Sequence, residues 1–362
     1  MSASEAPVLA EVRNRIGHLS LNRPAGLNAL TLPMVRLLLQ QLHAWEQDAE
    51  ILAVVLRANG GKAFCAGGDI RMLYDSYKSG SNQHKIFLEE EYALDAYIHE
   101  YSKPTVALMD GFVLGGGMGL VQGTTLRVIT ERTRMGMPEV GIGFFPDVGG
   151  SYFLPRLPGE LGIFLGVTGI QVRAADALYT GLADYCLPSE HLLKLDQALD
   201  SLSWSTSPME TLDQLLATLA TTKLPGAQLE ACREAIDQHF ALADIQSIRT
   251  ALIEEARPEL RDWCDEIVQV LDSRSPLAIA VTLELLRRGR TLPLADCFAQ
   301  ELHLDYQWFD KGDLIEGIRA LIIDKDKNPR WRTANIDALD TQQVQQFFSG
   351  FTAAPRTSQH RA

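Results

Sequence analysis

Apolar positions along the first part of the chain alternate between two spacings. Residues 8–12 and 18–21 run largely apolar, polar, apolar around Arg13-Asn-Arg-Ile-Gly17, which predicts a hairpin whose turn contains Asn14 and Gly17. Arg23-Pro24 ends the second strand. Met34, Leu37, Leu38, Leu42 and Trp45 then fall at helical spacing and predict an amphipathic helix up to about Asp48. The run Leu52-Ala-Val-Val-Leu56 is unbroken, as in a strand covered on both faces. A glycine-rich loop over 59–68 follows, then a short helical stretch from Ile70 and a longer helix over 85–101. Residues 104–109 and 126–130 are two more buried strands, the first leading into a triple glycine and a helix-like 118–121. This alternation predicts an α/β core with crossover helices.

From Gly159 the pattern changes to helices almost without strands: 174–180, 190–202, 209–220, 228–240, 245–255, 259–271, 276–288 and 294–309. The expected organisation is an α/β core with the site over 1–200, an α-helical C-terminal region over 201–352 and a frayed tail over 353–362.

Charge narrows the function classes. The balance is -13 and the basic residues are scattered, which argues against a nucleic-acid surface and against binding anionic membranes. A polyanionic ligand would have to be met locally, by helix N-termini or by residues such as Arg23, Lys62 or Lys325. The 5 cysteines lie far apart with no Cys-x-x-Cys pair, which fits a reduced compartment. Residues 1–7 lack the basic-then-apolar order of a secretory signal, and no uncharged apolar run approaches membrane-spanning length, so cytoplasm is the default expectation. The histidines have no metal-ligand spacing, and no metal is expected.

The chemistry concentrates between Met137 and Ser151. Glu139 and Asp147 are separated by Val140, Ile142, Phe144, Phe145, two glycines and Pro146. A carboxyl group held against such residues loses hydration, its pKa rises, and it becomes a usable acid or base near neutrality. Gly141, Gly143 and Pro146 interrupt regular structure, so the two acids are expected on either side of a turn. Each alone also has a structural reading, Asp147 as the N-cap of a helix through Leu154 and Glu139 as the start of a helical turn. Together, beside Phe144-Phe145, they favour catalysis.

Two glycine segments lie upstream, Cys65-Ala-Gly-Gly-Asp69 and Leu114-Gly-Gly-Gly-Met-Gly119. They match neither G-x-G-x-x-G, whose third glycine would be Leu120, nor a Walker loop. Each precedes a helix. Paired free amides there could form an oxyanion hole, worth on the order of 3 kcal/mol per donor. Asp69 is an expected N-cap for the helix at Ile70. Cys65 has no neighbouring histidine and reads as a packing residue. No G-x-S-x-G elbow occurs.

These segments resemble the crotonase (enoyl-CoA hydratase/isomerase) superfamily, in Asn28-Ala-Leu30, Lys62-Ala-Phe-Cys-Ala-Gly-Gly-Asp-Ile70 and Asp110-Gly-Phe-Val-Leu-Gly-Gly-Gly117, in that order. Within it the chain is most similar to the 3-hydroxyisobutyryl-CoA hydrolase family, in Glu90-Glu-Tyr92, Met137-Pro-Glu139, Gly143-Phe-Phe-Pro-Asp-Val-Gly-Gly150, Tyr152-Phe-Leu-Pro-Arg156, Glu316-Gly-Ile-Arg-Ala320 and Asp324-Lys-Asp326. The resemblance implies an α/β fold with a crotonase-like ββα spiral core and an α-helical C-terminal region over the acyl site. It implies an oxyanion hole from the amides of Gly68 and Gly116, and Glu139 and Asp147 flanking the substrate. Glu91 would contact the acyl hydroxyl, and Ala66, Asp69 and Ile70 would lie along the substrate.

The implied reaction is hydrolysis of a short branched 3-hydroxyacyl-CoA, first of all 3-hydroxyisobutyryl-CoA in valine breakdown. Glu139 would act as nucleophile or as base towards water. Coenzyme A would enter as part of the substrate, without a further cofactor, and a homo-oligomer is one expectation because the superfamily often forms trimers. The chain departs from the hydratases at Gly119, where they carry a second glutamate. The alternatives are an enoyl-CoA hydratase or isomerase, and a non-catalytic acyl-CoA-binding protein.

Overall fold

The computed structural model describes residues 6–221 and 223–353, so residues 1–5 and all of the expected tail except Ala353 lie outside the described residues. The opening hairpin is tighter than its pattern suggests. Strands β1 (Val8–Arg13) and β2 (Ile16–Leu21) pair antiparallel, Val8 with Leu21 and Arg13 with Ile16. The turn is therefore Asn14-Arg15 alone, with φ of 45° and 64°, the left-handed pair that suits a two-residue hairpin. Gly17 belongs to the strand, and the Trp45 ring occupies the space its side chain would need.

Three ββα turns follow. β3 (Ala53–Ala58), β4 (Ala63–Cys65) and the helix Ile70–Lys78 make the first, and β5 (Thr105–Met109), β6 (Phe112–Leu114) and the helix Gly116–Gln122 the second. In the third, β7 (Leu126–Thr130) and β8 (Arg134–Gly136) lead into a short 3-10 turn, Glu139–Ile142. β9 (Val172–Arg173) and β10 (Tyr185–Leu187) complete the strands among the described residues. The long strands form one sheet in the order β1-β2-β3-β5-β7-β10, and the short ones a second, β4-β6-β8-β9. Each turn of the spiral thus adds a parallel strand to both sheets.

The second sheet lies where no strand is predicted: β4 falls in the expected glycine-rich loop, and the pattern gives no element for β6, β8 or β9. Its strands are too short for a period of two to register. The unbroken apolar run in β3 has the expected cause: Ala53 and Val55 pack on one side of the sheet with Val106, Val128 and Leu187, while Val54 and Leu56 join the main core on the other. Beyond β10 the described residues hold helices and no strand. Leu212 and Leu216 of the helix Pro208–Leu219 cover the outer side of the large sheet. Leu271, Leu285 and Trp308, from the helices Arg261–Asp272, Pro276–Gly289 and Leu294–Lys311, share one hydrophobic cluster with Leu19, Phe64 and Val140. The C-terminal helices are thus packed directly on the spiral, beside the expected site.

Candidate active site

Local hydrogen bonds set the glycine loops. Asn28, itself at φ 54°, donates from Nδ2 to the carbonyls of Asn59 and Ala63, each at 2.9 Å, and accepts from the Arg23 amide at 2.8 Å. Leu30 then bridges to the first loop: its N–H donates to Gly67 O at 2.8 Å, and its carbonyl accepts from Asp69 N at 2.9 Å. Asp69 accepts from Met72 N and pairs with Arg23 at 2.8 Å, so it caps the helix as expected. In the second loop Gly115 N donates to Gly136 O of β8 at 3.1 Å. A side-chain carbon on Gly116 would lie 3.3 Å from Gly68 N, so the two glycines adjoin. Among the described residues neither the Gly68 nor the Gly116 amide has a hydrogen-bond acceptor. Both remain available to a carbonyl oxygen.

A cavity of about 720 Å³ opens in front of them and is lined by all of the expected residues: Ala66, Gly68, Asp69, Ile70, Glu91, Gly116, Glu139 and Asp147. Arg274, Leu314, Leu321 and Ile322 close it from the C-terminal region. Glu139 starts the 3-10 turn, with Oε1 against Gly115 and Oε2 buried without a hydrogen-bond partner among the described residues. The loop from Glu139 to Asp147 is held from behind. Trp308 Nε1 donates to Gly143 O at 2.8 Å, and its ring stands edge-on to Phe145 at 5.1 Å.

Asp147 is not the N-cap that its position suggested. Gly149 takes the cap position, and Glu301 from the helix Leu294–Lys311 accepts from Gly149 N and Ser151 N at 2.8 Å and from Ser151 Oγ at 2.5 Å. Val148 between them has φ 49°, an uncommon conformation for a β-branched residue and a local cost of order 1–3 kcal/mol. The Asp147 side chain turns instead towards Tyr92, whose hydroxyl lies 2.8 Å from Asp147 Oδ2 and 2.6 Å from Asp305 Oδ2.

The site is strongly acidic. Glu91, Asp95, Glu139, Asp147, Glu301 and Asp305 are all buried, and none is in a salt bridge among the described residues. Burial, then the charge of Asp147, raises Glu139 well above the usual carboxylate range. Burial lifts Asp147 to about 7 against the opposing Tyr92 hydrogen bond. Glu91 is raised by burial, then by Asp95, Asp147 and Glu139. Protons can therefore be exchanged here near neutral pH. Burial also pushes the Cys65 thiol up to about 12, in keeping with a packing role.

Sequence reasoning missed Tyr92, Asp95, Glu301 and Asp305. Their signal was present: Glu91 and Asp95, and Glu301 and Asp305, sit four residues apart on the apolar stripes of two long helices. Glu91, on a helix where a lone glutamate commonly faces solvent, is 2% exposed. Elsewhere His239, Glu255 and Cys264 are close enough together for an ion, but Arg257 and His239 already bind the Glu255 carboxylate.

A family model described as enoyl-CoA hydratase/isomerase matches residues 16–348. Among similar proteins, the mitochondrial 3-hydroxyisobutyryl-CoA hydrolase of Gallus gallus is 37% identical over 348 residues, covering 95% of this chain and 89% of its own length. The human enzyme of the same name is 36% identical over 345 residues, covering 94% and 88%. Among solved structures, a carnitinyl-CoA dehydratase from Mycobacterium thermoresistibile superposes with a TM-score of 0.87 at 36% identity, covering 96% of this chain and 97% of that one. An enoyl-CoA hydratase from Rhodobacter sphaeroides 2.4.1 gives 0.84 at 35% identity, covering 95% and 97%. No described helix is long and apolar enough to cross a membrane.

Proposed function

Because this chain belongs to the enoyl-CoA hydratase/isomerase family, and relatives named 3-hydroxyisobutyryl-CoA hydrolase match nearly its full length, we propose that it hydrolyses a short branched 3-hydroxyacyl-CoA thioester, 3-hydroxyisobutyryl-CoA first of all, to the free acid and CoA. One observation carries this reading: two acids with raised pKa values, Glu139 and Asp147, line the same cavity as the adjoining, unoccupied amides of Gly68 and Gly116.

In the proposed mechanism the thioester oxygen lies between those amides, which stabilise the charge that develops on it. Glu139 attacks the carbonyl carbon to give a mixed anhydride, or takes the proton of an attacking water. Asp147 orients the substrate and passes a proton to the departing sulfur. Glu91 receives the acyl hydroxyl, with Ala66, Asp69 and Ile70 along the substrate. Asp69 contributes mainly through its cap and its pair with Arg23. Of the cations considered for the CoA phosphates, Arg23 lines the cavity, while Lys62 and Lys325 do not. We propose residues 1–200 as the part that carries the acids and amides, and 201–352 as the part that closes the acyl site. No cofactor beyond the CoA of the substrate is proposed. For location we keep cytoplasm, with the mitochondrion as the alternative raised by the relatives' names; cell fractionation separates them.

A second reading, enoyl-CoA hydration, is favoured by the names of the two solved structures. Hydration across a double bond needs a second acid, and the expected position is Gly119. A side-chain carbon there would lie 2.5 Å from Asp95 Oδ2 and 2.6 Å from Val148 Cβ. The lack of both the residue and the space for it supports hydrolysis. The test is thiol release from 3-hydroxyisobutyryl-CoA by the wild type, Glu139→Gln and Asp147→Asn. The reading expects both variants to lose about a hundredfold or more in kcat. Turnover of crotonyl-CoA by the wild type, with none of the hydroxyacyl thioester, would refute it.

A further inference from the structure

The Tyr92 hydroxyl has one hydrogen, yet it lies at hydrogen-bonding distance from two buried carboxylates, 2.8 Å from Asp147 Oδ2 and 2.6 Å from Asp305 Oδ2. It can donate to only one of them. If both acids were ionised, the other contact would set two lone pairs against each other with no water between. No salt bridge relieves either acid among the described residues. The groups facing the trio are acidic as well: Glu91 and Asp95 on the helix Gln83–His99, Glu139 on the loop, and Glu301 on the helix Leu294–Lys311. His99, on the first of these helices, is pushed down to about 4 by burial and then by Arg127, so it supplies no charge.

The trio therefore holds an extra proton, and burial decides where. Asp147 lines the cavity, whereas Asp305 is fully buried and its Oδ1 has no partner among the described residues. An unpartnered, desolvated carboxyl is the costlier place for a negative charge.

We propose that Tyr92 and Asp305 are positioning residues that store a proton behind Asp147, with Asp305 O–H donating to the Tyr92 oxygen and Tyr92 O–H donating to Asp147 Oδ2. This proposal deepens the hydrolase reading, and its use in turnover rests on that reading. The arrangement keeps Asp147 ionised at rest, with its hydrogen-bonded oxygen fixed. It can also shift as a unit. The Tyr92 O–H bond breaks as one forms on Asp147, and the Asp305 O–H bond breaks as one re-forms on Tyr92. The trio keeps its single negative charge, which moves from Asp147 to Asp305. Asp147 then gives its proton to the departing sulfur, and the proton that Glu139 takes from the hydrolytic water passes to Asp147 and returns along the same line to Asp305.

The infrared spectrum at neutral pH tests the stored proton without reference to activity. The spectrum of the wild type minus that of Asp305→Asn is expected to show the carbonyl band of a protonated carboxyl, and Tyr92→Phe is expected to shift that band. Should Asp305→Asn fail to fold, Tyr92→Phe carries this arm alone. Loss of only an ionised-carboxylate band in Asp305→Asn, or no band shift in Tyr92→Phe, would overturn the proposal.

A kinetic arm tests its use. Tyr92→Phe removes the donor that holds Asp147 down, so the kcat profile should lose about tenfold and move its inflection to higher pH with KM unchanged. A purely structural role would leave the inflection in place. Tyr306→Phe, on the same helix as Asp305 but exposed, should leave the profile unchanged. If the wild type hydrolyses no acyl-CoA, the hydrolase reading fails while the infrared result still decides the stored proton.

Discussion

Replacing Gly116 by alanine adds one methyl group at the point where the proposed chemistry is most crowded. That carbon would lie 2.5 Å from Glu91 Oε1 and 3.3 Å from Gly68 N, where ordinary contact begins at 3.4 Å. Glu91 is buried and has to give way, and the methyl takes the space a carbonyl oxygen would need between the two amides. Gly116 opens a helix and is not in the left-handed region, so the backbone accepts alanine and the strain falls on the Glu91 side chain. The cost falls on the site. Loss of one oxyanion donor corresponds to about 3 kcal/mol, or roughly a hundred- to a thousandfold in kcat. The expected phenotype is thus a folded protein with a modestly lowered Tm and almost no thiol release. Gly226→Ala, where an added carbon meets nothing within 4 Å, is the control. A Gly116→Ala enzyme within about threefold of the wild-type kcat would refute the two-amide argument.

Gly119→Glu should not restore hydration. Its first carbon collides with Asp95 and Val148, so a loss of about 3 kcal/mol in stability and no turnover of crotonyl-CoA are expected; denaturant titration and the hydration assay check both. Asp95→Asn should raise stability most at alkaline pH. Asp95 is raised by burial and then by the charges of Asp147 and Glu301, so the folded state holds its proton at pH values where the unfolded chain has lost it. Stability from such a group is present below the unfolded pKa near 4 and falls as pH rises towards the folded value. Asp147, with a folded value of about 7, behaves in the same way. Melting curves across about pH 5 to 8 should therefore show the wild type losing Tm with pH and Asp95→Asn losing less; parallel curves would contradict the assignment.

The sequence made the acids and the glycines legible because each broke a local rule. Glu139 and Asp147 interrupt an apolar run, and Gly67-Gly68 and the triple glycine interrupt strand-to-helix junctions. Most of the main sheet was legible, β1 and β2 from alternation and β3, β5 and β7 from unbroken apolar runs, while the three-residue β10 was not. The second sheet was not, since β4, β6 and β8 have three residues each and are held by partners brought in by the spiral. The capping role expected of Asp147 fell to Glu301, which lies far along the chain and can be assigned only once the helix Leu294–Lys311 is packed. Tyr92 and Asp305 are likewise joined only across two helices. The four-residue spacing of acids on both apolar stripes was visible, but it reads as amphipathicity with errors until the two stripes are seen to face each other.

The cavity's far wall has one more implication. Leu321 and Ile322 belong to a five-residue π-helical stretch, Arg319–Ile323. Arg71 Nη2 ties that stretch to the helix after the first glycine loop through Ile322 O at 3.1 Å, and Arg319 binds Glu316, Asp324 and Asp326. The roof over the cavity is thus sewn from the polypeptide that supplies its floor. A change at either end of the Arg71–Ile322 link therefore reaches both walls of one cavity.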